Sequence, residues 1–184
     1  MGKLAVSLVL LCFSASPAIG DAAFQFSAAG AQAPEDPNVN GFRIALFHGK
    51  NDSVRGFDLG IISLSEAKSS SGFSMIWGLS RVTGSASGLS SAFVNHHTGT
   101  DSSVNAAFIN SIKTQKTGVN LGFLNLTDGY SNVDISGIGI SKESKIQVGF
   151  VNITGKIEKF QFGFLNFAEN GFFPVFPIFN FPKN

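Results

Sequence analysis

The sequence predicts an all-β fold, a β-solenoid-like array of about ten units of 15 residues each. One observation is a motif of a small residue, Phe, an apolar residue and Asn, which recurs at residues 92–95, 107–110, 122–125, 149–152 and 163–166. Another is the regular spacing of the units, which begin at residues 45, 60, 78, 92, 107, 122, 137, 149, 163 and 177. Such regularity is typical of a repeat array.

The third observation is an alternation of residue types within each unit. Val119, Leu121 and Phe123 share one parity, whereas Asn120 and Gly122 share the other. A period of two with β-branched and aromatic residues indicates strands, and no window shows sustained helical spacing. In a solenoid the equivalent residues of successive coils stack, so we expect the motif Phe inside and the motif Asn in a ladder at a corner.

An antiparallel meander closed as an outer-membrane β-barrel is the alternative, because each unit is also long enough for one strand and a tight turn. Two features favour the solenoid. The gaps between units are nearly uniform, whereas barrels alternate short turns with long loops. The chain also contains only one Trp and one Tyr, the residues that lipid interfaces prefer.

Residues 1–20 have the pattern of a secretory signal peptide, with Lys3, an apolar run over residues 4–13 and small residues at Ala18 and Gly20. We expect cleavage before Asp21. Removing this segment also removes Cys12, the only cysteine, so the mature chain has no disulfide. An exported chain of this size without disulfides fits a bacterial envelope protein.

The remaining chain divides into an irregular leader at 21–40, a β-repeat domain at 41–171 and a Pro/Phe-rich cap at 172–184 that belongs to the same domain. Turn residues are expected at 98–100, 127–129 and 154–156, an insertion loop at 69–72 and a flexible loop at 84–88. The small residue that opens each unit predicts close packing of successive coils. Pro174, Pro177 and Pro182 suit a terminal edge, because Pro cannot donate to a sheet ladder.

The charge balance excludes a nucleic-acid-binding surface. The chain has 13 Lys and Arg against 12 Asp and Glu, whereas a polyanion-binding surface needs a basic excess. We therefore expect as partners an envelope or surface protein or a polysaccharide, with membrane association as a further option.

We predict no catalytic, cofactor-binding or metal-ligating residues and no cofactor. His96 and His97 are adjacent on a strand and point to opposite faces, and neither Asp101 nor His48 is placed beside them by spacing. Residues 84–88 match Gly-x-Ser-x-Gly without the strand-to-helix context of that motif. Asp58 and Asp134 could form a carboxylate pair, but we expect both to face outward on strands.

Residues 40–46, residues 54–60, the Gly-Phe-x-Asn units and the ending at 173–181 together resemble the uncharacterised surface-repeat proteins of Gram-negative bacteria. The resemblance covers about residues 36–181. This chain departs from the pattern by using Phe where the family prefers Leu, and by having Ser63, Arg81 and Ile140 at positions of the ladder Asn. The resemblance implies a cell-surface or outer-membrane location and no known activity.

The function that these features predict is that of a non-enzymatic, exported β-repeat protein of the cell envelope with a structural, adhesive or partner-binding role. A small outer-membrane barrel or pore is the second hypothesis. A polysaccharide-acting enzyme is the third, and it requires two acidic residues close together on one face.

Overall fold

The structure, a computed structural model, describes residues 21–183, without the side chains of residues 115 and 116. The predicted signal peptide at 1–20 lies outside the described residues. The elements are β1 (Ala22–Ala28), β2 (Ala31–Ala33), β3 (Asn38–Thr98), β4 (Thr100–Asp101), β5 (Val104–Ala168) and β6 (Val175–Asn180). In this part of the chain nearly every residue is in a strand and none is in a helix. No helix long and apolar enough to cross a membrane occurs among residues 21–183.

Successive coils pair in parallel. The start of β3 lies on β1, with Ala28 opposite Leu46, and β5 lies on the end of β3 from Leu89 opposite Val104 to Thr98 opposite Lys113. In the second pairing every residue faces the residue 15 positions further along the chain. The predicted β-solenoid is therefore confirmed, and the antiparallel meander is excluded.

β3 and β5 contain 61 and 65 residues, far more than a single straight strand. They wind through several coils because the ladder hydrogen bonds continue around the corners. The turns and loops predicted at 69–72, 84–88, 127–129 and 154–156 lie inside these two strands, so those predictions were wrong. Only the segment 98–100 contains a break, at Gly99 between β3 and β4. The chain bends at the predicted places without leaving the sheet.

Glycine allows the coils to approach closely. A Cβ atom at Gly41, Gly56, Gly72 or Gly88 would collide with a carbonyl oxygen of the previous coil, and all four residues have positive φ. A Cβ at Gly163 would collide in the same way, although φ there is not positive. The predicted close packing of successive coils is thus observed, because the missing side chain makes room for the neighbouring backbone.

Both ends of the described stack are closed by antiparallel strands. β2 pairs with β1, and β6 pairs with β5 from Gln161 opposite Asn180 to Phe167 opposite Val175. The leader at 21–40 was predicted to be irregular, which was wrong, since β1 and β2 lie within it. Its strand character comes from pairing with the first coil of β3, a contact that the local composition does not reveal.

The interior of the coils is mainly polar. Val39, Val54 and Ala67 form a small apolar cluster near the N-terminal end. Most other fully buried side chains are Asn, Gln, Ser or Thr. Burying such groups is tolerated only when they are hydrogen-bonded, so the interior must be satisfied from coil to coil.

Candidate functional site

The motif asparagines form the predicted ladder. Asn95 Nδ2 donates to Asn110 Oδ1 at 3.1 Å, and Asn110 Nδ2 donates to Asn125 Oδ1 at 2.8 Å. Asn152 Nδ2 donates in the same way to Asn166 Oδ1 at 2.8 Å. All five side chains are fully buried. The ladder satisfies amides that could not otherwise be placed in the interior.

A second interior ladder was not predicted. Asn105 Nδ2 donates to Asn120 Oδ1 at 3.1 Å, and Gln161 Nε2 donates to Gln147 Oε1 at 2.7 Å. These residues are also fully buried. The signal was present in the sequence, since amide residues recur there at spacings of 15 and 14 residues.

The motif phenylalanines are outside the coil, so their predicted place in the core was wrong. Phe93, Phe108, Phe123, Phe150 and Phe164 are 49% to 62% exposed. The alternation that placed them inside holds only along a straight strand. Between Asn105 and Asn110 the chain bends around Phe108, so Phe108 and Asn110 share a parity but face opposite ways.

The exposed rings stack along the outside of the solenoid. Ring centroids of Phe93 and Phe108 are 5.4 Å apart, those of Phe108 and Phe123 are 5.1 Å apart, and those of Phe150 and Phe164 are 5.0 Å apart. The ring planes in these pairs are within 11° of parallel.

Three earlier residues extend this row at steps of 15 or 16 residues, and all are more than 60% exposed. We call the whole row the apolar ridge: Phe47, Ile62, Trp77, Phe93, Phe108, Phe123, Phe150 and Phe164. A shallow groove of about 460 Å³ lies between Trp77 and Phe93. Further exposed apolar side chains lie in the same coils, at Leu126, Ile135, Ile140, Ile153 and Phe162.

Charged residues are separated from the ridge in the C-terminal coils. Residues 104–112, 119–127, 146–154 and 160–168 contain no Asp, Glu, Lys or Arg. The charges of these coils fall in the intervening segments, which we call the charged edge: Lys113, Asp128, Lys142, Glu143, Lys145, Lys156, Glu158 and Lys159. Each of these coils therefore has one uncharged part and one charged part.

Contacts between coils also organise the charged edge. Lys142 Nζ lies 2.5 Å from Asp128 Oδ1, and its hydrogen bond and charge lower the pKa of that carboxyl. Tyr130 donates a hydrogen bond of 2.7 Å to Glu158 Oε2. Partial burial and this bond raise the pKa of Tyr130 to about 12.

The adjacent histidines occupy different surroundings. His97 is buried, with Nδ1 2.7 Å from Asp101 Oδ2, whereas His96 is half-buried, with Nδ1 3.3 Å from Ser111 Oγ. Burial acts to raise the pKa of Asp101, but hydrogen bonds from His97 and Ser103 outweigh it and the pKa is lowered. Desolvation, then the positive charges of neighbouring residues, lowers the pKa of His96.

The spacing did not foresee the contact between His97 and Asp101, which meet across the corner between β3 and β4. His48 is elsewhere, with Nε2 3.8 Å from Glu66 Oε2. Within residues 21–183 no three His, Cys, Asp or Glu side chains are grouped as metal ligands would be.

Asp58 and Asp134 are both buried, so their predicted outward orientation was wrong. Asp58 accepts hydrogen bonds from Arg43 Nε at 2.8 Å and Arg43 Nη2 at 2.5 Å. Arg43 Nη1 also donates to Asn51 Oδ1 at 2.7 Å, and Arg43 Nη2 donates to Ser65 Oγ. The guanidinium and carboxylate neutralise each other inside the coil.

Asp134 has no cationic partner in its contacts. Its Oδ1 accepts hydrogen bonds from Asn125 Nδ2 at 2.7 Å and Ser136 Oγ at 2.8 Å, while the buried Oδ2 has no hydrogen-bond partner. Burial raises the pKa of Asp134 to about 6, although both hydrogen bonds act to lower it. Asp58 and Asp134 belong to separate clusters and do not form the carboxylate pair considered above.

No family model, curated protein or solved structure matches the chain. The feature that offers something to a binding partner is therefore judged by its geometry alone. That feature is the apolar ridge, since the polar groups described above are hydrogen-bonded within the interior or along the charged edge.

Proposed function

We propose that this chain is a non-enzymatic, exported protein of a Gram-negative cell envelope, a rigid scaffold that presents its apolar ridge to an envelope or surface partner. The observation that carries the proposal is the ridge itself. Eight large apolar side chains, each 49% to 72% exposed, follow one another along the solenoid. Monomeric soluble proteins rarely leave large contiguous apolar patches uncovered.

The interior supports a scaffold role. Amide ladders and close glycine contacts connect each coil to the next, so the ridge is held on a regular sheet. A site on regular elements is more precisely positioned than one on loops. The location in the envelope is supported by the signal-peptide pattern of residues 1–20 and by the absence of cysteine after Cys12.

The test is expression of the full chain in a Gram-negative host, followed by fractionation and mass spectrometry. We expect a mature protein that begins at Asp21 and is recovered with the envelope. A matched variant carrying Phe93→Ser, Phe108→Ser and Phe123→Ser should still be exported but should leave the envelope fraction. Uncleaved wild-type chain in the cytoplasm would contradict the proposal.

A further inference from the structure

We propose that the partner of the apolar ridge is the surface of a lipid bilayer, on which the solenoid lies along its length with the charged edge in water. This inference rests on the proposed function, since it names the partner of the same ridge. The argument depends on the size of the ridge, its chemistry, its shape and the position of the charges around each coil.

The size of the ridge exceeds what a soluble surface usually exposes. Eight side chains of about 200 Å² each, a little over half exposed, present on the order of 1,000 Å² of apolar surface. The largest patch on a typical monomer is about 300–600 Å². A protein partner or a bilayer could each cover this area, so the chemistry of the ridge must decide between them.

The chemistry favours lipid. Protein–protein interfaces carry about one hydrogen bond per 100–200 Å² and a polar rim. The ridge side chains are hydrocarbon except for the indole of Trp77, and the nearby asparagines, such as Asn110 and Asn125, are buried and bonded to each other. The surface therefore offers a protein few groups to bond, whereas the hydrocarbon region of a bilayer requires none.

The shape of the ridge suits a flat surface. Successive coils are spaced by about 4.8 Å, so the row from Phe47 to Phe164 is about 40 Å long. It follows one corner of the coils, so its side chains project together from one side. Amphipathic elements that lie on membranes bury their apolar face by about 5–10 Å, a depth that a row of Phe rings can reach.

The charged residues lie away from that side. Lys113 follows Phe108 by five residues and Lys156 precedes Phe164 by eight, in coils of about 15 residues. The charged edge is thus about half a coil from the ridge. Docking through the ridge leaves these charges hydrated, which avoids the large cost of moving them into hydrocarbon.

Trp77 makes the proposal directly measurable. It is the only tryptophan of the chain, it lies in the ridge and it is 69% exposed. We expect its fluorescence emission to shift to shorter wavelength when the full chain is mixed with neutral phosphatidylcholine vesicles at physiological salt. Brominated acyl chains in the vesicles should quench that emission, because the indole would lie beside them.

Flotation with the same vesicles compares two matched variants. The ridge variant carries Phe93→Ser, Phe108→Ser and Phe123→Ser, and the edge variant carries Lys113→Ser, Tyr130→Ser and Lys142→Ser. Both retain residues 1–20, so the apolar N-terminal run contributes equally. We expect the ridge variant to lose binding by about tenfold or more, since three apolar anchors are gone. The edge variant should bind within about twofold of the unmutated chain on neutral lipid.

Several outcomes would overturn the proposal. One is the absence of a Trp77 shift and of quenching in the unmutated chain, a measurement that stands even if the ridge variant does not fold. Another is unchanged flotation of a ridge variant shown to be folded by circular dichroism. A third is a dimer in sedimentation that the ridge variant dissociates, with no vesicle binding, because a second copy would then cover the ridge. Export and envelope recovery together with no lipid binding would leave the proposed function in place and point to a protein partner.

Discussion

The N-terminal coils, residues 39–86, and the C-terminal coils, residues 104–168, have the same backbone architecture but different interiors. In the first region an ion pair between Arg43 and Asp58 lies near the small apolar cluster around Val54. In the second, asparagine and glutamine side chains bond to identical side chains of the next coil. Parallel stacking with glycine at the close contacts therefore tolerates two kinds of interior.

The two regions also differ outside. Phe42, Phe57 and Phe73 stack at centroid distances of 5.0 and 5.1 Å and are half-buried. The motif phenylalanines of the later coils stack just as closely but belong to the exposed ridge. Stacking thus accompanies any column of Phe in a parallel array, and the exposure of that column depends on where the coil bends.

The largest effect is expected at the ion pair of the N-terminal coils. Arg43→Met would leave Asp58 buried without its cation, and we expect a loss of about 3–5 kcal/mol in the free energy of unfolding. Urea denaturation followed by circular dichroism measures it. The double variant Arg43→Met/Asp58→Leu should recover most of the loss, because neither charge then remains buried. A single variant as stable as the unmutated chain would show that the pair does not hold these coils together.

The next effect concerns the buried carboxyl of the C-terminal coils. With a pKa of about 6 in the folded chain and 3.8 as its ordinary value, Asp134 holds a proton between pH 4 and 6 that the unfolded chain has released. Its contribution to the free energy of unfolding therefore falls as pH rises through this window and is constant above it. Asp134→Asn removes the ionisable group and should stabilise the chain at pH 7 by about 3 kcal/mol.

Urea titrations at pH 4, 5, 6 and 7 compare Asp134→Asn with the unmutated chain. The difference between them should grow with pH up to about pH 6. Asp128→Asn, on the charged edge, is the matched control and should not produce this pattern. A difference that is the same at all four pH values would contradict the assigned titration.

The amide ladder should show a moderate effect. Asn110→Ala removes the acceptor of Asn95 Nδ2 and the donor to Asn125 Oδ1, and we expect a loss of about 2 kcal/mol because buried polar groups lose partners. Ser111→Ala, next to it on the outer side, should change the free energy of unfolding by less than about 0.5 kcal/mol. Equal effects of the two substitutions in thermal or urea unfolding would mean that the ladder adds nothing.

The smallest effect distinguishes the two Phe columns. Phe108→Ala should cost about 1 kcal/mol, chiefly from lost ring stacking, because the ring is already 49% exposed. Phe57→Ala should cost about 1 kcal/mol more, since that ring is more buried and stacks on both sides. Unfolding curves of both variants test this difference, and a larger loss at Phe108 would contradict the exposure of the ridge.

Residue spacing was informative wherever equivalent coil positions meet. The Asn ladder follows from the motif, and the pairing of Arg43 with Asp58 was also available, since they are 15 residues apart. The contact of His97 with Asp101 joins residues four apart across a corner and has no periodic signal. Strand formation in the leader was missed because it depends on pairing with residues 39–46.

The sequence by itself determined that the chain stacks in parallel coils with an asparagine ladder, because a repeat of 15 residues places like side chains one above another. Only the tertiary structure decided which side chains face inward. Alternation fails at each bend of the coil, so the bend sets the direction of Phe108 and the neighbouring coil sets the environment of Asp58 and Asp134. The apolar ridge, and with it the proposed membrane partner, exists because the chain bends between Phe and Asn in the repeating motif.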